Sequence, residues 1–202
     1  MEECYPIPGR RVNLEGISFF IHGVVHENPL ILISNKFKRG LANKFEEYST
    51  ICEDGIASWI PNAKSFNEIK QFGLDKLAFS DYIHFFKGYF YNRFIAKTHK
   101  SSLATKVRLL RNVEDLMPLR EELINSYSPE PQGMNYLISR NCGGTLENPK
   151  GEISLRVKRY IHEAKTSMNY AKENNLKELH IVVGCAHELP LEYLLPKIKI
   201  FK

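Results

Sequence analysis

An apolar run that leads into Gly-x-x-His-Glu-x-Pro occurs twice in this chain, once near each end. The first copy runs from Ile17 to His22 and continues through Gly23, His26, Glu27 and Pro29. The second runs from His180 to Val183 and continues through Gly184, His187, Glu188 and Pro190. Each copy reads as a buried strand that reaches a glycine turn, with a histidine and a glutamate just beyond it. Helical sequence follows the first strand, and a helical crossover makes the strands it joins parallel. In open α/β sheets, ligand sites gather at the carboxyl ends of parallel strands. Both histidines are therefore expected at one edge of one sheet.

The rest of the chain fits around that pattern. Residues 1–16 carry Pro6, Pro8, Gly9 and Gly16 and read as an irregular lead-in. After the first strand, Asn28 suits an N-cap and Pro29 the first helical position. Leu30, Ile33, Phe37, Leu41, Phe45 and Tyr48 then recur at spacings of three or four, an amphipathic helical stripe. Tyr48 to Cys52 reads as the second strand, closed by Glu53, Asp54 and Gly55. Trp59 to Gly73 reads as loop with one short helix. Asn112 caps a further helix through Leu119, Leu123 and Ile124.

The spacing of Val157, Tyr160, Ile161, Ala164, Met168 and Ala171 predicts a long helix from Glu152 to about Asn174. Leu179 to Val183 is the last strong strand. A short helix follows over Leu191–Leu195, and the alternation of Lys197 to Phe201 predicts an edge strand. The fold class expected is α/β: a mainly parallel sheet flanked by helices. It forms a single domain over 1–202, with a helical aromatic and basic insertion at about 75–125.

Composition narrows the function classes. The chain has 202 residues, 43% of them hydrophobic, enough for a sizeable core. A net charge of +5 permits an anionic partner without requiring one. The first residues lack a basic region followed by an apolar one, and no run of about 18 apolar residues occurs. A cytoplasmic protein without a transmembrane segment is expected. Cys4, Cys52, Cys142 and Cys185 are too scattered for a zinc ribbon or a disulfide framework, and read as reduced thiols. No P-loop, dinucleotide fingerprint or Gly-x-Ser-x-Gly elbow is present.

The motif residues suggest metal chemistry. His26, Glu53 and His187 follow three separate strand ends, and two imidazoles with a carboxylate are a common divalent-metal ligand set. Gly23 and Gly184 let a cofactor or substrate approach the backbone. Glu27 or Glu188 would serve as a fourth ligand or as a general base. Asp54 competes with Glu53 for the acidic role. His22, His180, His84, His99 and His162 lack ligand partners at helical spacing and read as structural or exposed.

The order Gly23-x-x-His26, a glutamate ending the next strand at Glu53, a mid-chain arginine, and Val-Val-Gly184-x-x-His187 resembles the TraB/PrgY and Tiki group. Erythromycin-esterase-like and ChaN-like proteins are its distant kin. The resemblance covers both ends of the chain. It implies an active site of two Gly-x-x-His motifs and a glutamate, here His26, Glu53 and His187, with metal-dependent peptidase chemistry in some members. It also implicates Arg140, which in this chain is followed by Asn141 where the group usually has aspartate.

The leading expectation is a metal-dependent hydrolase of the peptidase or esterase type, acting on a peptide or small ester through a bound divalent metal ion. A second is a regulatory protein of the same fold that binds a metal or haem without turnover. A third uses residues 82–111, where seven aromatic rings lie among seven basic residues, to bind nucleic acid or a membrane surface. The same stretch also reads as a core helix with snorkelling bases that buries Phe86, Phe90 and Phe94, and this disfavours nucleic acid as the partner. A homodimer is left open.

Overall fold

The computed structural model describes residues 9–24, 35–72 and 151–200. The aromatic and basic insertion, the helix from Asn112, and His26, Glu27 and Arg140 lie outside the described residues. Strands β1 (Gly9–Leu14), β2 (Ile17–Val24), β3 (Thr50–Cys52), β4 (Lys64–Ser65) and β5 (Glu178–Gly184) form one sheet in the order β1-β2-β5-β3-β4. Three neighbouring pairs are parallel and the β1/β2 pair is antiparallel. The fold is mixed α/β, with mainly parallel pairing among the described residues.

β1 corrects the expected irregular lead-in. Leu14 pairs directly with Ile17, so Glu15 and Gly16 alone make the turn. Both have positive φ, 53° and 78°, as the tight hairpin turn that matches strand twist requires. The Gly16 signal marked a hairpin.

Helices α1 (Asn35–Phe45), α2 (Asp54–Ala57), α3 (Glu68–Phe72), α4 (Gly151–Glu173) and α5 (Cys185–Leu194) surround the sheet, and a 3₁₀ helix closes the described chain at Leu195–Ile200. Alternate strand residues face opposite sides. Phe19, Ile21, Leu179, Ile181 and Val183 pack with Tyr160, Ala164, Met168 and Ala171 of α4 and with Leu191 and Leu194 of α5. The other face carries Phe20, His22 and His180, and Phe45 of α1 meets both histidine rings.

α4 follows the sequence expectation closely. Its end is fixed by Asn175 in the left-handed region at φ 52°. The Leu176 amide donates to Ala171 O at 2.9 Å and the Asn175 amide to Lys172 O at 3.1 Å. This pair of bonds terminates a helix by satisfying its last carbonyls.

Two expectations fail near the C-terminus. Lys197 to Ile200 lies in the 3₁₀ helix and forms no edge strand; Leu195 and Ile198 are buried against the core. The last α-helix begins at Cys185, six residues before the expected Leu191, so His187 and Glu188 belong to its first turn. β2 also continues through Gly23 to Val24.

A candidate metal centre at the carboxyl edge of the sheet

Pairing of β3 with β5 sets Cys52 beside Val182, and the Glu53 amide donates to Val182 O at 3.2 Å. Glu53 therefore stands at the carboxyl edge beside Gly184. Its Oε1 accepts the Gly184 amide at 2.6 Å. One turn into α5, His187 Nδ1 lies 3.4 Å from the same Glu53 oxygen. The expected convergence of Glu53 and His187 is observed.

A third group completes the cluster. Glu163 of α4 contacts His187 Nδ1 through both carboxylate oxygens, at 2.8 and 2.9 Å. Donor atoms of Glu53, Glu163 and His187 all lie within 4.8 Å of one another. Glu163 is fully buried, whereas the Glu53 and His187 side chains retain 13% and 10% exposure. The cluster thus reaches solvent through Glu53 and His187, with Glu163 beneath them. The Tyr160 ring packs edge-on against His187, with centroids 4.9 Å apart.

Glu163 was missed in the sequence, yet a signal was there. Tyr160, Glu163, Ala164, Ser167, Met168 and Ala171 share one buried face of α4. A carboxylate inside an apolar stripe costs free energy unless a partner compensates it, so Glu163 had to have one.

Beside Glu163 lies Glu68 of α3. Arg159 Nη2 donates to Glu68 Oε2 at 3.0 Å, while Glu68 Oε1 is buried without a hydrogen-bond donor. A proton on Glu68 would be shared with Glu163. Burial, then the contact with Glu163, pushes the Glu68 carboxyl up to about 9. Burial pushes Glu163 up to about 8, with the Glu53 charge adding to the rise. Three carboxylates crowd a poorly solvated space in which Arg159 offsets part of their charge, which favours uptake of protons or of a cation.

The spacing of these donor atoms admits a divalent ion. Metal bonds of about 2.0–2.2 Å give neighbouring ligand atoms spacings of about 2.8–3.6 Å in octahedral or tetrahedral sites. The contacts of His187 Nδ1 with Glu163 and Glu53, at 2.8 and 3.4 Å, fall in that range.

The remaining candidates have other duties. Glu188 is 1% exposed; its Oε2 accepts the Gly23 amide at 2.9 Å and its Oε1 pairs with Arg10 Nε at 2.9 Å. It ties α5 to β2 and β1. Gly23 is needed because a Cβ there would collide with that carboxylate and approach Cys185 Cα to 2.9 Å. Gly184 has φ −59°, open to any residue, and contributes its amide. Asp54 bonds the Ser65 hydroxyl, which leaves the edge position to Glu53. His162 Nε2 bonds Phe66 O at 2.9 Å and ties α4 to the β4–α3 link. Cys52 and Cys185 are buried thiols, and burial with nearby carboxylates pushes Cys52 up to about 12, which makes it a poor nucleophile.

No family model, curated protein or solved structure matches this chain. The described residues contain no helix long and apolar enough to cross a membrane.

Proposed function

We propose that this chain is a metal-dependent hydrolase whose divalent ion is held by Glu53, Glu163 and His187. The observation that carries the reading is the position of His187 Nδ1, 2.8 Å from Glu163 Oε1 and 3.4 Å from Glu53 Oε1 at the carboxyl edge of the sheet. His26, two residues beyond the end of β2, is the proposed further ligand. The order of motifs that resembles the TraB and Tiki group supports the same chemistry, with a peptide or small ester as substrate.

A bound divalent ion would supply a water acidified towards neutrality and a Lewis acid for a carbonyl oxygen. The protein's own groups set the stage for that chemistry. Glu163 fixes the His187 ring, and Glu68, itself paired with Arg159, meets Glu163. Glu53 is fixed by the Gly184 amide and faces the open side with His187, so substrate enters there. Glu27 is the proposed base, because Glu188 is engaged by Gly23 and Arg10. Arg140 is the proposed partner of the developing oxyanion.

A second reading, ion binding without turnover, draws on the low exposure of the cluster, since closed ligand sets are typical of structural metal sites. Metal content and cleavage of a peptide and ester panel, measured on the same preparation, separate the two. Cleavage that stops on chelation and returns with added divalent ion supports the hydrolase. Bound ion without any cleavage supports the second reading, and failure to bind an ion removes both.

A further inference from the structure

Glu68 of α3 is a carboxylate that the fold buries and only half satisfies. Its side chain is 3% exposed. Oε2 accepts from Arg159 Nη2 at 3.0 Å, whereas Oε1 is buried and has no hydrogen-bond partner among the described residues. Arg159 precedes Glu163 by four residues on α4, so the two side chains start one turn apart on the helix surface. This stretch of α4 is also tied to α3 and the link before it. His162 Nε2 meets Phe66 O at 2.9 Å, and the Phe72 ring packs edge-on against the His162 ring. Glu68 thus touches Arg159, and its carboxylate also meets that of Glu163.

Pairing with Arg159 does not account for this arrangement. Nη2 and Nε lie along one edge of a guanidinium, and a carboxylate seated side-on takes a hydrogen bond from each. Here Arg159 Nε is buried without a hydrogen-bond partner, as Glu68 Oε1 is. The pair is held at one corner, and Oε1 is not spent on it. A buried acceptor without a donor costs free energy, and an apolar side chain at position 68 would avoid that cost. Glu163 and Glu53 add like charge to the same surroundings. A cation completes acceptors crowded in this way. In metal centres a ligating carboxylate is commonly hydrogen-bonded in turn by a neighbouring donor. Arg159 Nη2 is such a donor.

We propose, on the metal reading given above, that Glu68 is a further ligand of the same ion, with Oε1 on the ion and Oε2 held by Arg159. Glu68 stands outside the three residues whose donor atoms lie within 4.8 Å of one another, so it joins them by turning about its contact with Arg159. The ligand set then holds three carboxylates and an imidazole. Oxygen-rich sets with more than four ligands suit manganese, whereas zinc is satisfied by three protein ligands and a water.

The test titrates chelator-treated wild type and Glu68→Gln with manganese and with zinc at pH 7.5. Glutamine keeps an acceptor for Arg159 and can donate to Glu163, so a role limited to holding Glu163 in place survives the change. Loss of a ligand does not. Manganese affinity should fall at least about 10-fold in the variant, and zinc affinity by about 3-fold or less. No loss, equal losses or a larger loss for zinc would overturn the assignment of Glu68 and leave the three-residue centre standing. Absence of binding of either ion to wild type would overturn that centre and Glu68 with it. If wild type takes up only one of the two ions, or the variant does not fold, a crystal structure of wild type with its ion decides. A Glu68 oxygen within about 2.5 Å of the ion upholds the assignment, and a longer distance overturns it.

Discussion

Glu188 Oε2 accepts the amide hydrogen of Gly23 at 2.9 Å, so the second Gly-x-x-His-Glu motif closes on the glycine of the first. The amide of the other motif glycine, Gly184, ends on Glu53 at 2.6 Å. Each repeated glycine thus presents its N–H to a carboxylate. One of these carboxylates ties the structure together, and the other stands in the candidate site.

The first of these contacts predicts a stability effect separate from metal binding. Gly23→Ala forces a methyl group into the Glu188 carboxylate and should cost about 1–3 kcal/mol, as overpacking does. Glu188→Gln replaces the charge that faces Arg10 and should cost about 1–3 kcal/mol. Urea denaturation gives both costs. Metal affinity should stay close to wild type for Glu188→Gln, and its loss there would make Glu188 part of the centre.

Replacement of the two neighbouring acids should separate their roles. Glu53→Gln keeps an acceptor for the Gly184 amide but weakens a ligand, and should lower metal affinity at least about 10-fold. Asp54→Asn weakens the contact with Ser65 and should leave affinity unchanged. Competition with a chromogenic chelator measures both, and equal losses would refute the assignment of Glu53 over Asp54.

Glu163 and Glu68 predict a particular pH profile. Their folded values, about 8 and about 9, lie above the ordinary 4.5, so the folded chain binds more protons than the unfolded one. That contribution is fully present below about pH 4.5 and is lost as pH rises through about 8–9. Metal-free protein should therefore melt at lower temperature at pH 9 than at pH 7. A divalent ion takes the place of the proton, so its affinity should rise over the same interval. Thermal scans with and without chelator at both pH values check this, and a metal-free protein that gains stability towards pH 9 would contradict it.

Parts of this architecture were legible in the sequence because they rest on local periodicity. The stripe of Tyr160, Ala164, Met168 and Ala171 gave α4 nearly to the residue, and the apolar run before Gly184 gave β5. Glu53 and His187 were found because each follows a strand in a parallel sheet. Glu163 was missed because its partner lies on another element, and only the oddity of an acid in an apolar face marked it. Glu188 had the sequence context of a base, but its contacts with Arg10 and Gly23 depend on tertiary pairing. Helix α5 begins six residues before the expected Leu191 because it carries Pro190 inside it, a position that local sequence disfavours. The 3₁₀ turn at Lys197 mimicked a strand because alternation over five residues does not separate the two when the core can bury Leu195 and Ile198.

The central claim is that Glu53, Glu163 and His187 hold one divalent ion, and calorimetric titration of chelator-treated protein with zinc and with manganese at pH 7.5 tests it most directly. Wild type should bind about one ion of at least one of these metals per chain, with proton release, and Glu163→Gln should bind at least about 10-fold more weakly. Absence of binding of either metal to wild type, or an unchanged affinity in Glu163→Gln, would contradict the account.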